Sequence, residues 1–221
     1  MRTFLLFIII FVTFMASIIS LIIRALGGTI QPGTADWDNL INRLRNHTRP
    51  LKSTVIPWDG KDLMPLLSFA ELKDKSSWLE SGKIRVGVIN SIFQEPAIAL
   101  AEVHLGKLKV AVAQTSNHEF VFRMREKDVD IWHNSHPFAV LSGGALLSSG
   151  RGAKLLAQVQ PSSDERNIPI AINNHVALTL ANPKMPPASP NPRALLLLRD
   201  LNSDEELAAL SLAILYQLRN I

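Results

Sequence analysis

The carboxy-terminal stretch DEELAALSLAILYQLRN, Asp204 to Asn220, constrains the fold more than any other part of the chain. Leu207, Ala208, Ala209, Leu210, Leu212, Ala213, Ile214, Leu215 and Leu218 fall on every side of a helix, so no face is left for water. A helix that is apolar all round belongs either in lipid or in a core. At about 1.5 Å per residue, Asp204 to Leu218 reaches only about 22 Å, short of the roughly 30 Å of a bilayer's hydrocarbon layer. A core helix is therefore expected, with Leu207, Leu210, Ile214, Leu215 and Leu218 buried. Ser203 followed three residues later by Glu206 has the pattern of a capping box, and Asp204 and Glu205 suit the positive end of a helix dipole.

The partner for that helix has to come from the preceding residues, and these read as strands. Ile84, Val86 and Val88 alternate with Arg85 and Gly87; Leu108, Val110 and Val112 alternate with Lys109, Ala111 and Ala113; Phe120, Phe122 and Met124 alternate with Val121, Arg123 and Arg125. A period of two is strand periodicity. Further strands fit 98–105, 129–133, 138–141, 153–159, 168–172, 175–181 and 194–199, with tight turns at Gly106-Lys107, at 126–128 and at 149–152. About ten to twelve strands without intervening helices make the class mainly β, an antiparallel sandwich or barrel. The proline-rich NPKMPPASPNPR forms a surface loop before the last strand.

The other end of the chain differs in character. Thr3 to Ile23 is an uncharged apolar run of about 21 residues, long enough to cross a bilayer and longer than the apolar core of a cleaved signal peptide. Residues 1–25 are read as an amino-terminal transmembrane anchor, 26–60 as a linker with a basic amphipathic helix, and 61–221 as the barrel domain. In that helix Thr34 can cap, Asp36 suits the first turn, and Trp37, Leu40, Ile41 and Leu44 recur at i, i+3, i+4 and i+7. Arg43, Arg45, Arg49 and Lys52 lie on the opposite face and at the exit. Two readings compete: the collar rests on lipid headgroups beside the anchor, or its apolar stripe packs on the domain.

The first 52 residues hold six basic and two acidic side chains, and the remainder holds 17 of each. The net charge of +4 thus belongs entirely to the amino-terminal part. A nucleic-acid-binding body carries a basic patch on its own fold, so no nucleic-acid partner is expected. The chain has no cysteine, which excludes disulfides, thiolate catalysis and thiolate metal sites.

Catalytic motifs are sparse. His133 and His136 in WHNSHP are the best metal candidates, but they flank a turn with no acidic residue beside them. His104, His118 and His175 stand singly. GGALLSSGRGAK lacks the spacing and the lysine position of a phosphate-binding loop, and no G-x-S-x-G elbow occurs. Glu95, Glu102 and Asp130 are plausible acids or bases that nothing in the spacing pairs. The expectation is a protein without catalytic activity, without cofactor and without a resident metal.

A many-stranded antiparallel body followed by one wholly apolar terminal helix resembles the superfamily of tubby-like, phospholipid-scramblase and LURP-one-related proteins. The resemblance covers about Met64 to Ile221. It rests on VDIWHNSHPFAVLSGGALLSSGRGAKLLAQVQ, a strand, turn and strand series, and on RALLLLRDLNSDEELAALSLAILYQLRN. It implies a roughly twelve-stranded barrel enclosing the carboxy-terminal helix and engagement of lipid headgroups or scramblase-like lipid movement, and it favours a cytoplasmic domain, while the short basic amino terminus before an uncleaved span is also common for exported domains. No counterpart to a calcium-binding segment or a phosphoinositide-binding set of Lys and Arg is present, and the separate amino-terminal span departs from the family pattern. The expected function is a single-pass, membrane-anchored binding or accessory module at the cell membrane, with membrane lipid and other subunits of a membrane complex as partners. Lipid engagement is one alternative, and a hydrolase or metal enzyme built from dispersed residues is the other.

Overall fold

A computed structural model describes residues 30–79, 82–182, 184–185 and 192–219. The anchor expected over 1–25 lies outside the described residues, and among those described no helix is long and apolar enough to cross a membrane. The chain divides into two compact units, Met1–Leu40 and Ile41–Ile221. A helix α1, Ala35–Lys52, runs across the boundary. In the first unit Thr34 caps it as expected, its hydroxyl accepting a hydrogen bond from the Trp37 amide at 3.3 Å.

The second unit is mainly β. After α1 come a short helix α2, Gly60–Leu63, and a 3-10 turn at Met64–Leu66. Twelve strands follow: β1 (Leu67–Leu79), β2 (Gly82–Ser91), β3 (Pro96–Leu105), β4 (Leu108–Gln114), β5 (Glu119–Met124), β6 (Val129–His133), β7 (His136–Ser142), β8 (Ala145–Ser148), β9 (Leu155–Val159), β10 (Asn167–Ile172), β11 (His175–Ala181) and β12 (Leu195–Leu197). Helix α3, Ser203–Arg219, ends the described chain. Each strand pairs with the next in sequence, giving one antiparallel sheet in the order β1 to β12. A hydrogen bond of 2.7 Å from the Ala194 amide to the Leu67 carbonyl ties the last strand's start back to the first, so the sheet is a nearly closed barrel.

Two strands escape a reading by alternation. The pairing of β1 shifts register between Leu67 and Ala70 and again between Asp74 and Trp78, which breaks the period of two. Strand β8 is only four residues long and its Leu146-Leu147 pair does not alternate. The hairpin turns are chemically explicit: Asn134-Ser135 and Asn173-Asn174 have positive φ at both central positions, the geometry of a two-residue turn that follows the sheet twist.

Residues opposite each other across antiparallel strands share a face. Leu100 pairs with Ala113 and Ala113 with Phe120, and all three join the core, so this face is the interior. That core is completed by α3, as its composition demands. Leu210, Leu212, Ile214, Leu215 and Leu218 are all 0–1% exposed, and Leu207 is half-buried against the same cluster. Burying five such side chains contributes about 8–15 kcal/mol gross, an upper bound, because the unfolded chain is not fully extended.

Polar groups fix the helix along the barrel axis. At its carboxy-terminal end the Lys109 ammonium donates to the Leu218 carbonyl, where the helix dipole is negative. The same ammonium lies 2.7 Å from Glu102 Oε2 as an ion pair, at an angle too poor for a hydrogen bond. Glu102 is fully buried on the interior face and also takes a 3.0 Å bond from Arg85. One helical residue back, Gln217 Oε1 accepts from the Ala70 amide at 3.2 Å, at the end of the first register break in β1.

The outer face is covered too. Ile84, Val86, Ala99, Ala101, Val103, Val110, Val112 and Val121 lie on the opposite pleat from the core yet are 0–5% exposed. In the second unit, α1 lies over part of this face. Thr48 donates to Gln114 Oε1 at 2.8 Å, and Arg45 makes a two-pronged ion pair with Glu119, at 2.6 Å from NH2 to Oε1 and 3.1 Å from Nε to Oε2.

Candidate site at the mouth of the barrel

The turns joining β2 to β3, β4 to β5, β6 to β7 and β10 to β11 share one end of the barrel, the end from which α3 starts. The strap between α1 and β1 is bound to this end. Ile56 donates to the Pro96 carbonyl at 2.9 Å, and the Trp58 amide donates to Ser116 Oγ at 2.7 Å.

The first turn of α3 is capped differently from the sequence expectation. The reciprocal bonds of a capping box are present, but one residue earlier: the Glu205 amide donates to Asn202 Oδ1 and the Asn202 amide donates to Glu205 Oε2, each at 3.0 Å. Ser203 and Glu206 are therefore not the capping pair. The tertiary fold selects Glu205, because Arg199 reaches it with two bonds of 2.9 and 2.7 Å and Asn173 adds a third at 2.8 Å. Arg199 hydrogen bonding outweighs burial and, with the Asn202 amide, holds the Glu205 carboxyl down at about 2.

Two histidines meet at the same mouth. His118 Nδ1 lies 3.0 Å from His133 Nε2, so one ring donates to the other, and the rings sit 5.1 Å apart between centroids. Phe120 and Phe138 flank His133 at 5.0 and 6.1 Å. Burial pushes both imidazoles below their ordinary value, and for His133 the neighbouring His118 charge adds to the effect. The pair is thus held neutral. Among the described residues no three His, Asp or Glu side chains are placed to hold a metal ion.

Beside His118 is a cavity of about 120 Å³, lined by Trp58, Met64, His118, Ser203, Glu206, Leu207 and Leu210. It is apolar on the Trp58, Met64 and Leu210 side and polar on the side of the helix start.

The residues expected from the sequence divide among several places. Trp37 and Leu40, in the first unit, are buried. Ile41 and Leu44 are 4% and 0% exposed, and the Thr48 and Arg45 bonds put this part of α1 on the barrel wall. Arg45 is committed to Glu119, while Arg43, Arg49 and Lys52 are exposed. Leu207, Leu210, Ile214, Leu215 and Leu218 are in the core region described above, with Leu207 and Leu210 also reaching the cavity. His133 and His136 face each other across the β6–β7 turn, with His136 exposed and His133 paired to His118. Of the single carboxylates, Glu102 is locked in its buried ion cluster and Asp130 pairs with Arg125 at 3.0 Å.

Sequence reasoning missed the His118–His133 pair, the Asn202–Glu205 cap and the cavity. Only the strand register carries the first, by setting His133 opposite Phe120, two residues from His118. Comparison with protein-family models, curated proteins and solved structures finds no match to this chain.

Proposed function

We propose that this chain is a non-catalytic, membrane-anchored binding or accessory module, built as a subunit of a membrane complex. The observation that carries the reading is that the barrel's interior is filled by its own helix. Barrels that hold a ligand inside keep a lumen for it, whereas here Leu210 to Leu218 occupy that space. Recognition then falls to the outer wall and the mouth. The neutral histidine pair has no carboxylate orienting it in a triad and no nucleophile within the bonds described. The apolar run at residues 3–23 supports a tether to the membrane. The strand order and the enclosed terminal helix support kinship with the tubby-like and scramblase superfamily, and with it a cytoplasmic barrel.

The reading is tested by extracting the full chain from its native membrane in mild detergent and measuring the mass of the purified particle. A stoichiometric partner that persists through two purification steps is the expected result. A lone monomer in every mild detergent refutes the subunit role. A reporter fused to the carboxy terminus tests the cytoplasmic placement, which fails if the reporter is active only on the exported side.

A second reading, engagement of an anionic lipid surface, is favoured by one observation: Arg43, Arg49 and Lys52, which follow the expected anchor in the sequence, are exposed on α1. Near an anionic surface each contributes about 1 kcal/mol. Residues 33–221 are then expected to float with phosphatidylserine vesicles and to lose that property when the three are replaced by Glu. Equal binding to neutral phosphatidylcholine vesicles rejects the idea.

A further inference from the structure

We propose that the mouth cavity is a binding site for a small organic cation, an alkylammonium of roughly benzene size, received by Glu206 and Trp58. This inference goes beyond the accessory role and does not depend on it.

The capping register supplies the first argument. Glu206 stands where the sequence places a capping carboxylate, but Asn202 and Glu205 do that work. Among the described residues the Glu206 carboxylate makes no hydrogen bond and no ion pair, although it is only partly exposed. It leans across the strap: a side chain added at Gly60 would meet Glu206 Oε2 at 2.6 Å, so the glycine leaves room for this placement. Lys61, next in the chain, is exposed and forms no ion pair with it. A carboxylate that is neither capping nor paired, on the wall of a cavity, is a group waiting for a cation.

The rest of the lining points the same way. Trp58 is 9% exposed and presents an indole, the side chain that best attracts a cation to its face. Met64 and Leu210, each 1% exposed, supply an apolar floor. His118 and Ser203 offer neutral polar atoms. The lining therefore holds one carboxylate, two rings in the Trp58 indole and the His118 imidazole, aliphatic walls, and no Lys or Arg.

Helix polarity is the obvious counterargument, because a helix start favours anions. The local charges outweigh it. Asp204, Glu205 and Glu206 place three carboxylates in the first turn, and Arg199 neutralises only Glu205. Two uncompensated carboxylates face a helix end equivalent to roughly half a positive charge. Those two carboxylates exceed the half charge of the helix end.

Size sets the ligand class. A cavity of about 120 Å³ is somewhat smaller than the roughly 150 Å³ site that accommodates benzene. Tetramethylammonium or butylammonium fits that space, and a nucleotide or a sugar does not.

The test uses the full chain in an uncharged maltoside detergent, with ligand-observed saturation-transfer NMR and the Met64 methyl shift as readouts. Tetramethylammonium is compared with neutral tert-butanol, and butylammonium with butanol. The expected result is saturable binding of both cations, at least tenfold tighter than their neutral counterparts, with the Met64 methyl moving in step. Glu206→Gln is expected to weaken the cations at least tenfold and leave the alcohols unchanged, with no change in Tm, since the carboxylate holds nothing in the fold. Trp58→Leu is expected to weaken tetramethylammonium more than tert-butanol. The proposal is overturned if cations and alcohols bind alike, if neither binds, or if Glu206→Gln leaves cation affinity intact. Binding that survives in Glu206→Gln but is lost on charge reversal at Asp204 places the cation on the exposed helix start, and overturns it equally.

Discussion

The register of the α3 cap can be decided by one pair of adjacent substitutions, Glu205→Gln and Glu206→Gln. The Glu205 carboxyl falls from an ordinary 4.5 to about 2, which at about 1.4 kcal/mol per pH unit corresponds to ~3 kcal/mol of stabilisation. Its partner Arg199 is 35% exposed, so solvent screening reduces the net contribution to about 1–2 kcal/mol. Glutamine keeps one of the two acceptor oxygens, so Glu205→Gln removes the charge and sets an NH2 group against the donors that served the other oxygen. The expected cost at pH 7 is therefore at least about 1–2 kcal/mol in urea unfolding, against less than ~0.5 kcal/mol for Glu206→Gln. The pH dependence supplies an internal check. A carboxyl whose folded value is depressed stabilises fully above its unfolded value and loses that contribution as pH falls toward the folded one. The gap between native protein and Glu205→Gln should be full well above pH 4.5 and should have lost most of its charge-dependent part at pH 2.5, given the folded value of about 2. Two results refute the reasoning: a Glu206→Gln cost equal to that of Glu205→Gln, or a gap that does not change between pH 7 and 2.5.

Other perturbations test other parts of the fold. Leu215→Ala, at a fully buried site on the central helix, should cost about 2–5 kcal/mol and lower Tm measured by circular dichroism. Gly87→Ala should be worse than ordinary overpacking, more than about 3 kcal/mol, because the added Cβ would fall 1.8 Å from the Glu71 carbonyl oxygen of the paired strand; folded yield on expression checks it. For Glu119, burial raises the carboxyl but is outweighed by the Arg45 and Gln114 hydrogen bonds and by the charges of Arg45 and Lys52, so its net shift is downward. Arg45→Gln should then destabilise above the ordinary carboxylate range and lose its effect as acid titrates Glu119, which matched urea curves across pH will show.

The strands and turns were legible because each is set by contacts close in sequence. Phe120 and Phe122 alternate because they meet the core, whereas the large apolar side chains of Ile84, Val86, Val110 and Val112 alternate on the covered outer pleat, with Gly87, Ala111 and Ala113 turned inward; Gly106 has the positive φ, 62°, that a two-residue turn requires. Where the wall is covered on both faces, as at Ala97 to Val103, alternation fades. Strand β1 was hidden by its two register breaks.

By itself, the sequence determined that the last helix must be buried, since a segment without a polar face has no stable exposed arrangement and this one is too short for a bilayer. It also determined the antiparallel β body, because a period of two follows from the pleat and needs no distant partner. Only the tertiary structure decided which carboxylate caps that helix, which histidines meet and which wall receives Ile41 and Leu44. Each of these depends on a partner from another strand or turn: Arg199 and Asn173 for Glu205, His133 for His118, Gln114 and Glu119 for α1. Periodicity reports which way a side chain points, whereas its partner is chosen by the strand register, which brings residues tens of positions apart within hydrogen-bonding distance.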